Sequence, residues 1–368
     1  MDSLHALSTL IRKELQALLA TAIGRRMLVV PVLLQLVLFP LAATLEVKNS
    51  TLAIFNEDSG AASIELIQRL AAARAFPHLV MVYGDAEARR VVDRQQALLA
   101  IRIPADFSRR LERGDVAMVQ AIIDGRRSNS AQIAFGYAQQ VISGYAAERA
   151  GRPMPARVVV RNLYNPNLEY RWFILPSLVA IITTIGSLMV TALSLARERE
   201  QGTFEQLLVS PLTTGDIMAG KAAAGILVSI VQGAIIVAAA VFVYRVPFTG
   251  SLGVLAFATV LYGFSLSGFG LFISALCNSQ QQAFLGAFAF MSPAVILSGY
   301  MAPVENMPAV LRMLSAADPV THFIIVVKGI FLKGYGWTEA WPHLWPLMAI
   351  GAVALSAAYL LFRNRSGR

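Results

Sequence analysis

Six stretches of this chain, at about residues 27–45, 172–196, 222–244, 252–276, 283–300 and 344–362, are long, apolar and almost free of ionised side chains. A hydrocarbon core about 30 Å thick is crossed by about 20 apolar helical residues, so each stretch is long enough to span. A central Arg, Lys or Asp would cost about 2.5–3.5 kcal/mol, which gives the missing charges a physical reason. Pro31, Pro40 and Pro293 interrupt backbone bonding inside spans, and neighbouring helices can absorb such breaks. With 14% charged residues and a mean hydropathy of +0.60, the composition excludes an ordinary soluble enzyme and a disordered chain. The expected fold class is therefore an α-helical polytopic membrane protein with six transmembrane helices.

The formal net charge of +9 invites a nucleic-acid reading. No aromatic-interleaved basic cluster supports it, whereas excess Lys and Arg commonly mark the cytoplasmic ends of spans. With the N-terminus inside, the cytoplasmic segments hold Arg12, Lys13, Arg25, Arg26, Arg197, Arg199, Lys221, Arg363, Arg365 and Arg368. The short outer segments hold only Arg171, Arg245, Arg312, Lys328 and Lys333, so both termini are expected in the cytoplasm. Trp172, Trp337, Trp341 and Trp345 then fall at or near the outer interface. Residues 1–26 contain a helical pattern with Leu4, Leu7, Ile11, Leu15 and Leu18 on one face, suited to the inner membrane surface. Twenty-six residues precede the first span, too many for a cleaved signal, so it reads as an anchor. The single cysteine, Cys277, excludes an internal disulfide framework.

Residues 46–168 read differently. Their charge density approaches the soluble average of about 25%, and strand patterns at 51–55, 79–83, 97–103 and 117–123 alternate with helical patterns at 62–74, 86–94, 105–113 and 130–149. That alternation predicts an α/β domain inserted between the first two spans, on the extracytoplasmic side. Asp58 and Ser59 precede a helical pattern and are read as capping residues rather than catalytic ones. No catalytic constellation or metal-ligand spacing is evident in the domain.

The connection at 197–221 is the most informative segment. Arg197, Glu198, Arg199 and Glu200 alternate in sign directly beyond the second span. Gly202 permits a break, Thr203 can cap a short helix over 203–209, and Phe204, Leu207 and Leu208 give it one apolar face. Pro211 stops it. Glu200, Gly202, Thr203, Glu205, Leu207, Ser210 and Pro211 match the pattern E-x-G-T-x-E-x-L-x-x-[ST]-P, by which the chain resembles the permease subunits of ABC-type exporters of the type 2 superfamily. The resemblance continues through residues 292–308, 318–323 and 328–334, and covers essentially the whole chain.

It implies a transport subunit, not an enzyme, in the bacterial inner membrane. Such a subunit pairs with a second permease copy, identical or similar, and with two ABC ATPase subunits that carry ATP and Mg²⁺. This chain itself is expected to hold no cofactor. The resemblance also implies ATPase coupling by residues 197–208, an outer re-entrant segment within 301–343, and drugs or other amphiphilic compounds as substrates. Membrane lipids surround the spans, and whether a periplasmic adaptor docks on the outer domain stays open.

The run from Gly215 to Lys221 imitates the phosphate-binding pattern G-x-x-x-x-G-K, but Ala222 stands where a hydroxyl must meet Mg²⁺. Gly220 and Lys221 are therefore expected to end the loop at the inner interface. Gln35, Thr183, Gln232, Ser265 and Ser267 are polar positions within spans, and mark a candidate substrate path or interhelical bonds. No carboxylate falls inside the expected spans, which disfavours a proton-coupled carrier. A second reading is a membrane-anchored receptor or scaffold whose outer domain binds a ligand or envelope partner without transport. Six spans around a structured inner loop favour transport.

Overall fold

The computed structural model describes residues 3–42, 51–73, 75–123, 128–149, 164–165 and 169–365. In chain order it begins with helices α1 (Ser3–Ala20) and α2 (Ala22–Ala42). Next come β1 (Thr51–Asn56), α3 (Ala61–Ala72), β2 (His78–Val82), α4 (Asp85–Asp93), β3 (Leu99–Ile103), α5 (Phe107–Arg113), β4 (Gln120–Ile123) and α6 (Ser128–Arg149). The remainder is helical: α7 (Tyr170–Glu200), α8 (Phe204–Leu208), α9 (Thr214–Ala238), α10 (Leu252–Leu276), α11 (Gln280–Leu297), α12 (Ala309–Ala316), α13 (Pro319–Lys328) and α14 (Trp337–Arg365). The chain divides into two compact units, one made of Met1–Ala43 with Asn162–Arg368, the other of Thr44–Arg161.

The second unit is built on a four-stranded sheet of order β2-β1-β3-β4, parallel except for the antiparallel β3–β4 pair. Central β1 is apolar on both faces because both are covered, as parallel strands joined through helices require. Leu52 and Ile54 pack with Leu66 and Leu70 of α3 and Tyr145 of α6. Ala53 and Phe55, pointing the opposite way, pack with Ala88, Val91 and Val92 of α4. Strands and helices alternate from β1 to α6, with ends a few residues from those the sequence patterns indicate.

The loop after β1 is internally satisfied: Arg102 pairs with Glu57 at 2.8 Å, while Asp58 accepts from Gly60 N at 3.2 Å and from the Ser108 hydroxyl. The expected caps need correcting. Gly60 occupies the N-cap of α3 without any side-chain bond, and Asp58 instead reaches the start of α5 through Ser108 N, 3.3 Å away.

In the first unit, four helices among the described residues are long and apolar enough to cross a membrane: α7, α9 with its π-helical extension to Val243, α10 and α14. The count rises to six if each of two bent pairs is one span. One pair joins α1 to α2 at 93°, and the other joins α12 to α13 at 77°, within the segment expected to be re-entrant. The six-span expectation therefore stands only in that coarser form. Residues 43–45 of the first expected span lie outside the described residues, and the leading glutamines 280–282 dilute α11.

The helices pack about α7, nearly all of whose side chains are buried between Ile174 and Ala196. Its neighbours supply Val254, Ala258, Tyr262, Phe323 and Leu344 to the main core. Small residues permit the close approach: Thr191 fills the space that a side chain at Gly270 would need.

Candidate coupling site

Helix α7 runs without a break to Glu200, past the end expected for the span. Its last turn buries Glu198, whose side chain is 8% exposed. Glu198 lies two residues beyond the expected span of 172–196, on the continuous helix, so the expected absence of carboxylates inside that span is not contradicted. Glu198 Oε1 receives Lys13 Nζ of α1 at 3.0 Å and Lys221 Nζ of α9 at 3.2 Å. Lys221, with a fully buried side chain, also donates to Glu14 Oε1 at 2.7 Å and to Ser194 Oγ at 2.8 Å. Ser194 in turn donates to Glu14 Oε2 at 2.9 Å. Two cations thus balance two carboxylates, and Lys221 joins them through two hydrogen bonds and a further ion pair to Glu198. Glu198 Oε2 is the one carboxylate oxygen of the cluster with no hydrogen-bond partner among the described residues.

Lys221 does not end the loop, as its place in the phosphate-like pattern suggested. A capping box starts α9 about two turns earlier, where Thr213 Oγ1 accepts from Asp216 N at 3.1 Å and Asp216 Oδ2 from Thr213 N at 3.0 Å. Residues 215–221 are therefore helix, and no phosphate cradle forms from them. Gly220 is needed for close approach: a Cβ there would stand 2.4 Å from Leu10 Cδ2 of α1. Helix α1 accordingly buries a stripe of Leu10, Glu14 and Leu18, rotated by about one residue from the face that its leucines indicated.

The chain reverses after α7 at Gly202, whose φ of +72° favours glycine. Thr203 then precedes α8, but its hydroxyl does not cap that helix. Both Thr203 N (3.0 Å) and Thr203 Oγ1 (3.3 Å) donate to the Glu198 carbonyl. The backbone of Glu198 thereby holds the root of α8, while its side chain holds α1 and α9.

Leu207 is buried with Ile217, Met218, Leu271 and Phe362, and Phe204 meets Phe362 edge-on with centroids 5.8 Å apart. Glu205 and Gln206 are exposed, so α8 presents a polar outer surface over an apolar inner one, and the exposed apolar Val209 follows its last residue. The side chain of Leu208 lies outside the described residues. Arg199 lies over the Phe204 ring and donates to the carbonyls of Ala275 (3.0 Å) and Cys277 (2.7 Å), satisfying the end of α10. Arg365 donates to Ala275 and Leu276 at the same end. Glu200 accepts from Gln280 N at 2.8 Å, at the start of α11. Arg197 is half-buried and, with Lys13, Glu14, Glu198, Thr203 and Gln206, lines a cleft of about 540 Å³ between α1 and the α7–α8 connection.

The five polar positions within the spans serve mainly as ties. Ser265 donates to Leu347 O of α14 at 2.5 Å, Ser267 to Ala222 O of α9 at 3.1 Å, and Gln232 Nε2 to Leu28 O of α2 at 3.0 Å. Thr183 bonds back to Val179 O within its own helix. Gln35 is half-buried, and its Oε1, like Gln232 Oε1, has no partner among the described residues.

The model of the ABC-2 family transporter proteins matches residues 26–360, nearly the whole of the two units. The chain belongs to this family. It is 53% identical over 364 residues to the probable multidrug ABC transporter permease YbhR of Escherichia coli (strain K12), covering 98% of this chain and 99% of that protein. It is 32% identical over 284 residues to the inner membrane transport permease YhhJ of the same organism, 75% of each chain. With the ABC transporter G family member 20 of Dictyostelium discoideum it shares 26% identity over 51% of this chain and 26% of that protein. The chain is thus the permease component of an ABC transporter and a multi-pass membrane protein.

Proposed function

We propose that the permease is the membrane-spanning subunit of an ATP-driven exporter of drugs or other amphiphilic compounds. It works as a dimer on two separate ATPase subunits, which bind ATP and Mg²⁺ and carry out the hydrolysis. Both termini and α8 face the cytoplasm of a bacterial inner membrane, and the α/β unit lies outside it. The likeness to YbhR, a probable multidrug ABC transporter permease, supports the substrate class.

The observation that carries the reading is the anchoring of α8. Its outer residues Glu205 and Gln206, with Val209 just after it, are free to meet a partner, and its root is fixed to Glu198. A push on α8 from a closing ATPase passes through Glu198 to α1, α7 and α9 together, because one ionic cluster joins all three. The polar positions Gln35, Thr183, Gln232, Ser265 and Ser267 border the path that opens when these helices shift.

Coexpression with an ABC ATPase from the same organism, followed by ATP-turnover assays in inverted vesicles, tests this reading. The double replacement of Glu205 and Leu208 by alanine is expected to abolish drug-stimulated turnover while membrane insertion is retained. Undiminished stimulation would remove the coupling role from α8.

A further inference from the structure

Two of the four histidines of the chain, far apart in sequence from the coupling cluster, meet where α13 packs against α14. His322 Nδ1 and His343 Nδ1 stand 3.2 Å apart, with ring planes tilted by 45°. His322 Nε2 lies 2.9 Å from the carbonyl of Ala316, the last residue of α12. A carbonyl only accepts, so the Nε2 of His322 carries the hydrogen, and its Nδ1 presents a lone pair toward His343. In the metal-free chain, His343 Nδ1–H donates to that lone pair.

We infer that His322 and His343 form a binding site for a divalent first-row transition metal of the nickel–copper–zinc group, joining α13 to α14 through their Nδ1 atoms. Two nitrogens each about 2.0–2.1 Å from one tetrahedral ion stand about 3.3–3.4 Å apart, and the observed pair needs almost no movement to reach that spacing. The bond from His322 Nε2 to a backbone carbonyl is the arrangement that fixes the tautomer and ring orientation of metal-bound histidines. Imidazole pairs suit the nickel, copper and zinc ions in particular.

Binding moves the hydrogen of His343 from Nδ1 to Nε2 without releasing a proton, and a turn of the two rings brings both Nδ1 lone pairs onto the metal. Two carboxylates stand one helical turn away, but both are engaged. Asp318 accepts from Val320 N and the Thr321 hydroxyl, and Glu339 accepts from Gly336 N. No third His, Cys, Asp or Glu among the described residues completes a ligand set, so water fills the remaining positions and the site stays open and exchangeable.

Titration of Zn²⁺ into the full-length permease in lipid nanodiscs at neutral pH, in competition with a chromophoric chelator, tests the assignment. One saturable site per chain is expected, lost in both His322→Gln and His343→Gln and retained in His78→Gln. Electron paramagnetic resonance of the wild-type protein with one equivalent of Cu²⁺ needs no variant, and it should show coupling to two imidazole nitrogens. Absence of saturable binding in the wild type, undiminished binding in the two variants, or a copper signal with fewer than two nitrogens would each overturn the proposal.

Discussion

Lys221→Met exposes the energetics of the buried cluster most directly. The substitution roughly keeps the size of the side chain and removes two hydrogen bonds, to Glu14 at 2.7 Å and Ser194 at 2.8 Å, together with the ion pair to Glu198 at 3.2 Å. Glu198 retains Lys13, which is half-exposed, but Glu14 keeps only the Ser194 hydroxyl while remaining 6% exposed. Breaking a buried ion pair from one side costs about 3–5 kcal/mol, because the remaining charge is left uncompensated. The cost should fall on α1, the element that Glu14 attaches. Amide hydrogen exchange reads such local opening. At about 1.4 kcal/mol per factor of ten, amides 10–18 in the variant should exchange about 140- to 3,700-fold faster than in the wild type. Adding Glu14→Gln removes the stranded charge, so the double variant should fall short of the summed single effects by about 1–3 kcal/mol. Effects that add within about 0.5 kcal/mol would refute the claim that the two side chains act as one buried pair.

Leu207→Ala should loosen α8 from the core of Ile217, Leu271 and Phe362 at a cost of about 2–5 kcal/mol, seen as faster exchange of amides 203–209. Gly220→Val should drive Leu10 away and release α1 at a cost of about 1–3 kcal/mol, with protection restored by adding Leu10→Ala. Ser265→Ala removes one tie between α10 and α14 and should lower resistance to unfolding in detergent by only about 0.6 kcal/mol.

Long apolar runs and the switch to strand alternation after residue 50 made the two-unit division readable from sequence, since spanning and soluble segments obey different solvents. The turn at Gly202 and the apolar side of α8 were readable as well, because both are local. The ionic cluster was not, because Glu14, Ser194, Glu198 and Lys221 come from three segments whose pairing is a tertiary fact. A trace of it existed: Glu14 sits midway between Leu10 and Leu18 at helical spacing, so a charge lies within the buried stripe. Lys221 beside a long apolar run was the complementary trace. Thr203 departs from its capping preference because that preference is statistical, and here the Glu198 carbonyl outcompetes the cap. The unsatisfied oxygens of Gln35 and Gln232 carry no sequence signature at all.

In the coupling proposed above, work done on α8 reaches the spans through Glu198 and its partners. The ratio of substrate transported to ATP hydrolysed, measured in vesicles containing the permease with its ATPase, tests that route. In the Glu14→Gln/Lys221→Met variant, hydrolysis should continue with transport largely lost. A ratio equal to that of the wild type would refute the route.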